Sequence, residues 1–183
     1  MVEHIKKRIN ELVEELNRNI NQLYDAAIHD AKTNLYNSKF FDTMLDFEMA
    51  HAKRGEELCL FIIDLDYFKK INDKYGHMIG DKVLVHFAKF LTNHVRKSDI
   101  VSRFGGEEFL ILFPSTNLRN AEKFVKRLKN KLESEKLLKK YNITFSGGLT
   151  QYKKSDTKTS LKKRADKALY QAKKQRNKLV VLK

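Results

Sequence analysis

Residues Arg103-Phe-Gly-Gly-Glu-Glu-Phe-Leu-Ile-Leu-Phe113 place two adjacent glycines and two adjacent carboxylates within an apolar run. Apolar runs of this length are typical of buried strands, and Gly-Gly between two of them predicts a tight β-hairpin with positive φ at its tip. Unpaired carboxylates in a buried strand carry a large desolvation cost. We therefore interpret this segment as a hairpin that offers acidic groups, beside backbone without side chains, to a cation and a phosphate.

A second acidic site follows another apolar run. Leu58–Ile63 has the length of a strand and ends in Asp64-Leu65-Asp66. Carboxylates just beyond the carboxyl end of a strand lie where open α/β sheets bind ligands, and magnesium is held by a few carboxylates together with substrate phosphates. A single Asp at such a place more often caps the next helix. Two acidic sites at the ends of two core strands favour a metal.

The composition bounds the class of protein. The 183 residues, 42% hydrophobic and 33% charged, suffice for one domain with a sizeable core and an appendage. No stretch approaches the length of a membrane span, and the N-terminus lacks the apolar segment of a signal peptide, so we expect no membrane segment. The single cysteine, Cys59, predicts a reducing, cytoplasmic location, and its position in a strand indicates a core residue rather than a nucleophile.

The net charge of +14 is concentrated near the C-terminus. Residues 1–29 carry four basic and five acidic side chains, whereas residues 153–183 carry twelve basic and two acidic ones. Such an excess is compatible with nucleic acid, an anionic membrane surface or a polyphosphate ligand. No nucleic-acid-binding motif accompanies it, so we expect no nucleic-acid partner, and many of these lysines fit a solvated helix face.

The first 29 residues show the pattern of a long helix. Its apolar positions recur at steps of three and four residues: Val2, Ile5, Ile9, Leu12, Leu16, Ile20, Leu23 and Ala27. A narrow stripe with charged flanks predicts a coiled coil between two chains, with a stutter near residues 17–20. The alternative is an amphipathic helix that packs on its own domain. We divide the chain into a coiled-coil helix, residues 1–29, and a catalytic domain, residues 30–183.

The second segment alternates between helical and strand patterns. The predicted elements are a helix capped by Ser38 and ending near Arg54, the strand ending at Asp64, helices Phe68–Tyr75 (closed by Gly76) and Asp81–Val95, strands on either side of Gly105-Gly106, a helix Asn120–Leu138, a strand Ile143–Leu149, a helix Leu161–Lys174 and a strand Leu179–Leu182. This order predicts an α/β fold with one mixed central sheet flanked by helices, preceded by the N-terminal helical extension.

Four motifs in this order resemble the GGDEF-domain diguanylate cyclases, over about residues 30–183. They are Asp64-Leu-Asp-Tyr-Phe-Lys-Lys-Ile-Asn-Asp73, Tyr75-Gly-His-Met-Ile-Gly-Asp81, Arg103-Phe-Gly-Gly-Glu-Glu-Phe109 and Arg164-Ala-Asp-Lys-Ala-Leu-Tyr-Gln-Ala-Lys173. The resemblance implies a fold like the palm of nucleotide polymerases and nucleotide cyclases. It also implies the condensation of two GTP into cyclic di-GMP and two pyrophosphates, with one GTP on each of two subunits that meet transiently face to face.

The resemblance implies a metal site. Asp64 and Glu107 would ligate magnesium, or manganese in its place, with help from the backbone carbonyl of Leu65. Glu108 is a further candidate for ligation and catalysis, and Glu107 is the preferred ligand and base. If the two glycines form a two-residue loop, strand alternation sends Glu107 and Glu108 to opposite faces, so we do not expect equal roles.

The resemblance also implies a substrate site, in which Asn72 and Asp81 read guanine. A carboxylate accepts from N1–H and the exocyclic amine, and an amide both donates and accepts; taken singly, each residue more often caps a turn or a helix. The remaining expected contacts are backbone at Gly105 and Gly106, amides of Tyr67 and Phe68 at a helix start, and the side chains of Lys69, Lys173 and Arg176. Around Arg176 the chain lacks the family's usual glycine.

Arg96-Lys-Ser-Asp99 matches the family's RxxD inhibitory site, where cyclic di-GMP binds and stops turnover, and Arg127 is a possible second contact. The same spacing also occurs as an ordinary surface pair. Two other functions compete with an active enzyme. A catalytically silent receptor for GTP or cyclic di-GMP predicts damage to the acidic set, which is intact, and a basic structural coiled-coil protein leaves the acidic hairpin without a purpose.

Overall fold

The computed structural model describes residues 1–183 and confirms the predicted α/β class. The strands are β1 (Leu58–Leu65), β2 (Ile100–Gly105), β3 (Glu108–Pro114), β4 (Phe145–Gln151) and β5 (Leu179–Leu182). The helices are α1 (Val2–Ile28), α2 (Ser38–Lys53), α3 (Phe68–Tyr75), α4 (His77–Thr92), α5 (Leu118–Leu132), α6 (Lys136–Lys140) and α7 (Lys158–Lys173).

The five strands form one mixed sheet in the order β2-β3-β1-β4-β5. Only β4 and β5 run parallel, and the other neighbours are antiparallel. All eight residues of β1 are buried, because helices cover both faces of this central strand. Phe61 and Ile63 pack with α4 and α5 on one face, and Leu60 and Ile62 pack with α2 and α7 on the other. This explains why the β1 sequence is a continuous apolar run rather than an alternating one.

Several element boundaries differ from the sequence predictions. Asn37 rather than Ser38 caps α2, since its Oδ1 accepts from the Phe40 amide at 2.9 Å. Helix α4 begins at His77, directly after Gly76, so Asp81 lies in its second turn and does not cap it. Strand β1 continues to Leu65, so Asp64 lies within the strand and not beyond its end.

The predicted helix from residue 120 to 138 is two helices. Asn117 caps α5 through its side chain, and the helix ends at Leu132, before the short α6. The Ile143 amide then donates to the Leu138 carbonyl at 2.9 Å, and Asn142 adopts a left-handed conformation with φ of 51°. This closure moves the start of β4 to Phe145, two residues later than predicted.

The acidic hairpin also turns one residue later than predicted. Gly105 pairs with Glu108 across β2 and β3, so the two turn residues are Gly106 and Glu107. Only Gly106 has positive φ, at 49°. The register shifts between Arg103 and Gly105, which is a β-bulge that bends the end of β2. As a result, Glu107 belongs to the turn and only Glu108 belongs to the strand.

Helix α1 extends from the rest of the fold and buries none of its residues. Its apolar stripe is exposed, with Leu12 49% and Leu16 58% accessible. The helix is attached at its end, where Asn37 Nδ2 donates to the Ala27 carbonyl at 2.8 Å. The alternative prediction, that this helix packs on its own domain, is therefore wrong. None of the seven helices combines the length and apolar character needed to span a bilayer.

Candidate active site

A cleft of about 460 Å³ opens at the carboxyl end of β1, between the start of α3 and the end of α7. Its lining residues are Asp64, Leu65, Asp66, Tyr67, Phe68, Lys69, Lys70, Asp73, Glu107, Lys173 and Arg176. Apart from Asp66, Lys70 and Asp73, all of these are predicted metal or substrate residues. The fold thus brings together most of the residues expected to contact the metal and the phosphates, but Glu108, Gly105 and Gly106 are not among the lining residues.

Asp64 is the most buried carboxylate with a predicted role, with a side chain only 8% exposed. It lies opposite Glu108 on one neighbouring strand and Ser146 on the other. Lys173 Nζ donates to its Oδ2 at 2.6 Å. Burial raises the pKa of Asp64, Lys173 opposes that rise, and the charges of Glu107 and Asp66 add to it. A buried carboxylate among other carboxylates favours a nearby cation, and Lys173 supplies one here.

The two adjacent glutamates face different cavities. Glu107 lines the main cleft, and its backbone carbonyl accepts from the Leu65 amide at 3.2 Å, which holds the turn against β1. Glu108 lines a smaller cavity of about 60 Å³ together with Phe104 and Asp166. Burial raises the pKa of Glu108, and the nearby charge of Asp64 adds to the shift. The structure therefore gives the two carboxylates different surroundings, because one is in the turn and the other in the strand.

Asp66 anchors the cleft wall, a role that the sequence did not reveal. Its carboxylate accepts from Thr144 Oγ1 at 2.8 Å, from Ser146 Oγ at 2.7 Å and from the Asn177 amide at 2.8 Å. These bonds join the end of β1 to β4 and to the segment after α7. Sequence reasoning grouped Asp66 with Asp64 as one acidic site, but the structure commits Asp66 to protein donors. The hydroxyl residues at alternate positions, Thr144 and Ser146, were the only sequence signal for it.

The start of α3 carries a cluster of cations. Tyr67 precedes the helix in a left-handed conformation, with φ of 57°. The Arg176 guanidinium lies 4.0 Å from the centre of its ring, and Nη1 donates to its hydroxyl at 3.0 Å. Lys70 Nζ lies 4.4 Å from the same ring. The N-terminus of a helix and these cations suit an anionic group.

Arg176, which lines the cleft, has an unusual backbone conformation. Arg176 and Asn177 both have positive φ, 57° and 46°, in the segment that lacks the family's usual glycine. The Asn177 side-chain oxygen accepts from Lys129 Nζ at 2.6 Å, and the Asn177 backbone N–H donates to Asp66, so the segment is held from both sides. The missing glycine is thus accommodated by left-handed non-glycine residues.

Asn72 and Asp81 lie outside the main cleft, where α3 meets α4. The Asn72 side chain packs so closely on Gly80 that a Cβ at that position would overlap its Oδ1. Asp81, the next residue, forms an ion pair with Lys32 from the segment between α1 and α2. The two predicted base-reading residues are therefore neighbours, but they belong to a site beside the cleft.

Arg103 holds the hairpin turn, a role that its place in the motif did not indicate. Its Nε and Nη2 donate to the Gly106 carbonyl at 3.0 and 2.8 Å. Its Nη1 donates to Asp30 Oδ1 at 3.1 Å, which connects the turn to the segment that follows α1. The carbonyl of Gly106 and the side chain of Glu107 are thereby kept in place next to the cleft.

The predicted inhibitory residues share a separate cavity of about 260 Å³. Arg96, Asp99 and Arg127 all line it. Asp99 Oδ2 accepts from the Arg96 amide at 2.8 Å, and burial raises the pKa of Asp99 although this bond and the Arg96 charge oppose the rise. The cavity offers two guanidinium groups and one carboxylate, which is a donor and acceptor set suited to phosphate and to a guanine edge.

The donor chemistry of the main cleft fits a hard divalent cation. No group of three or more His, Cys, Asp or Glu side chains is arranged to hold a metal ion by protein ligands alone. Magnesium, however, is usually bound through one or two carboxylates and completed by water and substrate phosphates. Asp64 and Glu107, which line one cleft beside cationic side chains, match that arrangement.

Comparison with known proteins gives a consistent result. The family model "Diguanylate cyclase, GGDEF domain" matches residues 27–178. Diguanylate cyclase DgcP of Pseudomonas aeruginosa is 35% identical over 176 residues, covering 92% of this chain and 26% of the relative. Response regulator PleD of Caulobacter vibrioides is 36% identical over 165 residues, covering 86% of this chain and 36% of the relative. The chain thus spans about a quarter to a third of the length of these relatives.

Solved structures extend the likeness to the N-terminal helix. The coiled coil and GGDEF domain of DgcB from Caulobacter crescentus, in complex with c-di-GMP, superposes with a TM-score of 0.88 at 28% identity. The match covers 99% of both chains. The active GGEEF domain of a diguanylate cyclase from Vibrio cholerae superposes with a TM-score of 0.70 at 30% identity, over 76% of this chain and 93% of that one.

Proposed function

This chain belongs to the GGDEF-domain family of diguanylate cyclases, and from this we propose that it condenses two GTP into cyclic di-GMP and two pyrophosphates. The observation that carries the proposal is the buried Asp64, which shares one cleft with Glu107 and is paired with Lys173 beside the start of α3. This cleft combines acidic oxygens for a cation with positive groups for a triphosphate.

Asp64 and Glu107 would hold magnesium, or manganese in its place, with the Leu65 carbonyl as a further oxygen ligand. When bound, the ion supplies neutralisation of the triphosphate charge and acidifies the attacking hydroxyl. The chain's own contribution is to keep the two carboxylates near each other. It does so through the β1 register and through the bond from the Leu65 amide to the Glu107 carbonyl.

Lys173, Lys69 and Arg176 would orient the phosphates, together with the amides of Tyr67 and Phe68. Lys173 is the most informative of these, because its ammonium already neutralises Asp64. Its side chain is 42% exposed, so it can turn toward a phosphate when a cation takes over its charge-balancing role. When nucleotide and metal bind, the Lys173 ammonium would be replaced by the metal ion as the positive partner of Asp64, so the buried carboxylate would keep a neutralising charge beside it.

The reaction requires two subunits, each holding one GTP. The 3′ oxygen of one GTP attacks the α-phosphorus of the other, a new O–P bond forms, and the bond from that phosphorus to the bridging oxygen of the β-phosphate breaks to release pyrophosphate. The same transfer in the opposite direction closes the ring and releases the second pyrophosphate. Glu107 is the carboxylate that we assign to metal ligation and to accepting the 3′ proton. Glu108, which lines the neighbouring cavity, would affect the site through its charge next to Asp64.

Helix α1 would bring the two subunits together as a coiled coil. Support comes from its exposed apolar stripe, since an isolated stripe of this length would otherwise remain in water. Residues 1–29 would then form the pairing element and residues 30–183 the catalytic domain.

The cavity lined by Arg96, Asp99 and Arg127 would bind cyclic di-GMP and limit turnover. Its two cations suit the two phosphates of the product, and its carboxylate can accept from a guanine edge. The superposed DgcB structure is a complex with c-di-GMP, which supports product binding as an expectation for this fold.

The direct test is incubation with GTP and magnesium, followed by chromatography of the nucleotides. Wild-type protein should form cyclic di-GMP and pyrophosphate in a 1:2 ratio. Glu107→Gln should lower the rate at least about 100-fold, the usual scale for losing a group that handles a proton. Glu133→Gln, the same change at an exposed helix end, is the matched control.

Absence of product with wild-type protein would contradict the proposed reaction. If the protein bound cyclic di-GMP under the same conditions without turning over GTP, the catalytically silent receptor would be the better description. Equal rates for Glu107→Gln and Glu133→Gln would refute the assigned role of Glu107.

A further inference from the structure

Lys32 contacts the carboxylate that is expected to read the base. Its ammonium forms an ion pair with Asp81 Oδ1 across 49 positions of sequence. The side chains of Lys32 and Asp81 are 40% and 47% exposed, so the pair is open to a ligand from solvent. An exposed ion pair of this kind adds little to stability. Because Asp81 is expected to read the base, the pair is better explained by a role in recognition.

The backbone that carries Lys32 is held rigidly. Asp30 accepts from the Thr33 amide at 2.9 Å and from Thr33 Oγ1 at 2.6 Å, which closes a tight turn around Lys32. The Arg103 guanidinium bonds to the same carboxylate at 3.1 Å. Burial alone would raise the pKa of Asp30, but these hydrogen bonds outweigh it and hold the pKa below its usual range. The lysine thus extends from a fixed point toward α4.

Three polar groups converge where α3 meets α4. The Asn72 side chain lies against Gly80, Asp81 follows Gly80 directly, and Lys32 reaches Asp81 from the other segment. The site therefore offers an amide, a carboxylate and an ammonium group close together. Of these, only the ammonium group is purely a donor.

The pattern of donor and acceptor groups matches guanine and opposes adenine. Guanine carries the N1–H donor next to the O6 acceptor, whereas adenine carries the N1 acceptor next to an amino donor. The paired side chains of Asp81 and Lys32 present an acceptor next to a donor. In the orientation that sets O6 against Lys32 and N1–H against Asp81, this order complements the guanine edge, and the exocyclic amine is a further donor to Asp81. Adenine in the same orientation would place like groups against each other.

We propose that Lys32 is a specificity-determining residue that donates to guanine O6 while Asp81 accepts from N1–H and the exocyclic amine. The inference rests on the proposed function, because it concerns the base of the same nucleotide. In this arrangement the ion pair orders both side chains before the base enters. Guanine then inserts its own donor and acceptor between groups that are already in position.

The test measures nucleotide binding with atoms of the base changed one at a time. The probes are the 3′-deoxy forms of GTP, 6-thio-GTP and ATP with magnesium, which lack the attacking hydroxyl and cannot condense. Binding is measured by isothermal titration calorimetry. Replacing O6 by sulfur weakens an acceptor, so wild-type protein should prefer the oxygen nucleotide about 10-fold, as expected for a charge-assisted hydrogen bond near solvent.

Lys32→Met should lower that preference to less than about 2-fold, because the donor to O6 is gone. For the same reason it should reduce the difference in affinity between the guanine and adenine nucleotides. Lys32→Arg keeps a donor and should retain most of the preference. Lys39→Met makes the same charge change on an exposed lysine of α2 and should behave as wild type. Thermal melting of each variant checks that the fold is kept.

Two results would overturn the inference alone. One is an unchanged oxygen-over-sulfur preference in Lys32→Met, and the other is tighter binding of the guanine nucleotide by that variant, which would make Lys32 a competitor for Asp81. If wild-type protein bound none of the three nucleotides, the proposed function would fail together with this inference.

Discussion

Replacement of Gly80 by alanine should separate nucleotide binding from the stability of the fold. Gly80 is buried in α4, where it has ordinary helical backbone, so alanine fits the local conformation. Its Cβ, however, would overlap Asn72 Oδ1 and lie 3.0 Å from Asn72 Cγ and 3.3 Å from Phe68 Cζ. Since the overlapping atom ends a short, rotatable side chain, Asn72 should turn away while both helices stay in place.

The opposing contributions to stability nearly cancel. Alanine is favoured over glycine within a helix by about 0.8–1 kcal/mol. Turning Asn72 out of its rotamer costs about 0.5–1.5 kcal/mol. The free energy of unfolding should therefore change by less than about 1 kcal/mol. Loss of one or two hydrogen bonds from Asn72 to the base, at about 1 kcal/mol each, should raise the KM for GTP about 5- to 30-fold.

The assay combines urea unfolding with initial rates of cyclic di-GMP formation at varied GTP concentration. Asn72→Ala is the matched variant, because it removes the same side chain directly. A variant that carries both Gly80→Ala and Asn72→Ala should have the same KM as either single variant, since both changes remove the same interaction. A normal KM in Gly80→Ala beside a raised KM in Asn72→Ala would refute the reasoning. So would a loss of more than about 3 kcal/mol of stability in Gly80→Ala, which would mean that the helices had moved apart.

Three further predictions concern stability and assembly. Gly148→Ala should destabilise the fold by about 3 kcal/mol or more, because its Cβ would collide with the backbone of α7, which cannot rotate away; urea unfolding measures the loss. Burial favours a higher pKa for Asp156, but its bonds to Arg164 and neighbouring donors outweigh burial and lower the pKa to about 2. About 2 kcal/mol of stability, present above pH 4, should therefore be lost as the pH falls to 2 and below, measured by thermal melting against pH. Replacing Leu12 and Leu16 by glutamate should dissociate the proposed coiled coil and lower specific activity at low protein concentration, measured by light scattering and initial rates.

Matched variants decide these three cases. Gly105→Ala, where a Cβ meets open space, should unfold within about 1 kcal/mol of wild type, and an equal loss there would remove the steric explanation. Asp156→Asn should reduce the loss of thermal stability at low pH. An unchanged loss in this variant would mean that other carboxylates cause it. Asn10→Glu with Asn17→Glu adds the same charge beside the stripe, and equal dissociation by both pairs of changes would refute pairing through the apolar face.

Much of the secondary structure follows from local pattern. Helix α3 and strand β5 have the predicted bounds, because Gly76 ends one and four apolar residues form the other. Helix starts were predicted less well. The caps at Asn37 and Asn117 lie outside the apolar periodicity that suggested the elements, so the side-chain bond that begins each helix is visible only in three dimensions.

The candidate site was predicted in its composition more than in its arrangement. Residues of three of the four motifs, at the β1 end, in the hairpin and at the end of α7, share a cleft, whereas the motif Tyr75–Asp81 contributes none of its lining. The commitment of Asp66 to β4 depends on which strands are neighbours, and the bond between Lys32 and Asp81 joins segments 49 residues apart. Neither contact leaves a periodic signal in the chain, so neither could be read from it.

By itself, the amino-acid sequence determined the helices and strands, the mixed α/β class and the acidic, glycine-containing motifs, because these depend on residues close together along the chain. Tertiary structure alone decided where the hairpin turns and which groups each carboxylate contacts. A bulge before Gly105 moves the turn to Gly106 and Glu107, so Glu107 lines the cleft from the turn, while Glu108 lies in the strand opposite Asp64 and lines a second cavity. Strand register and turn position are set by the packing of the whole sheet, since alternate residues point to opposite faces and a shift of one position changes what each side chain can reach.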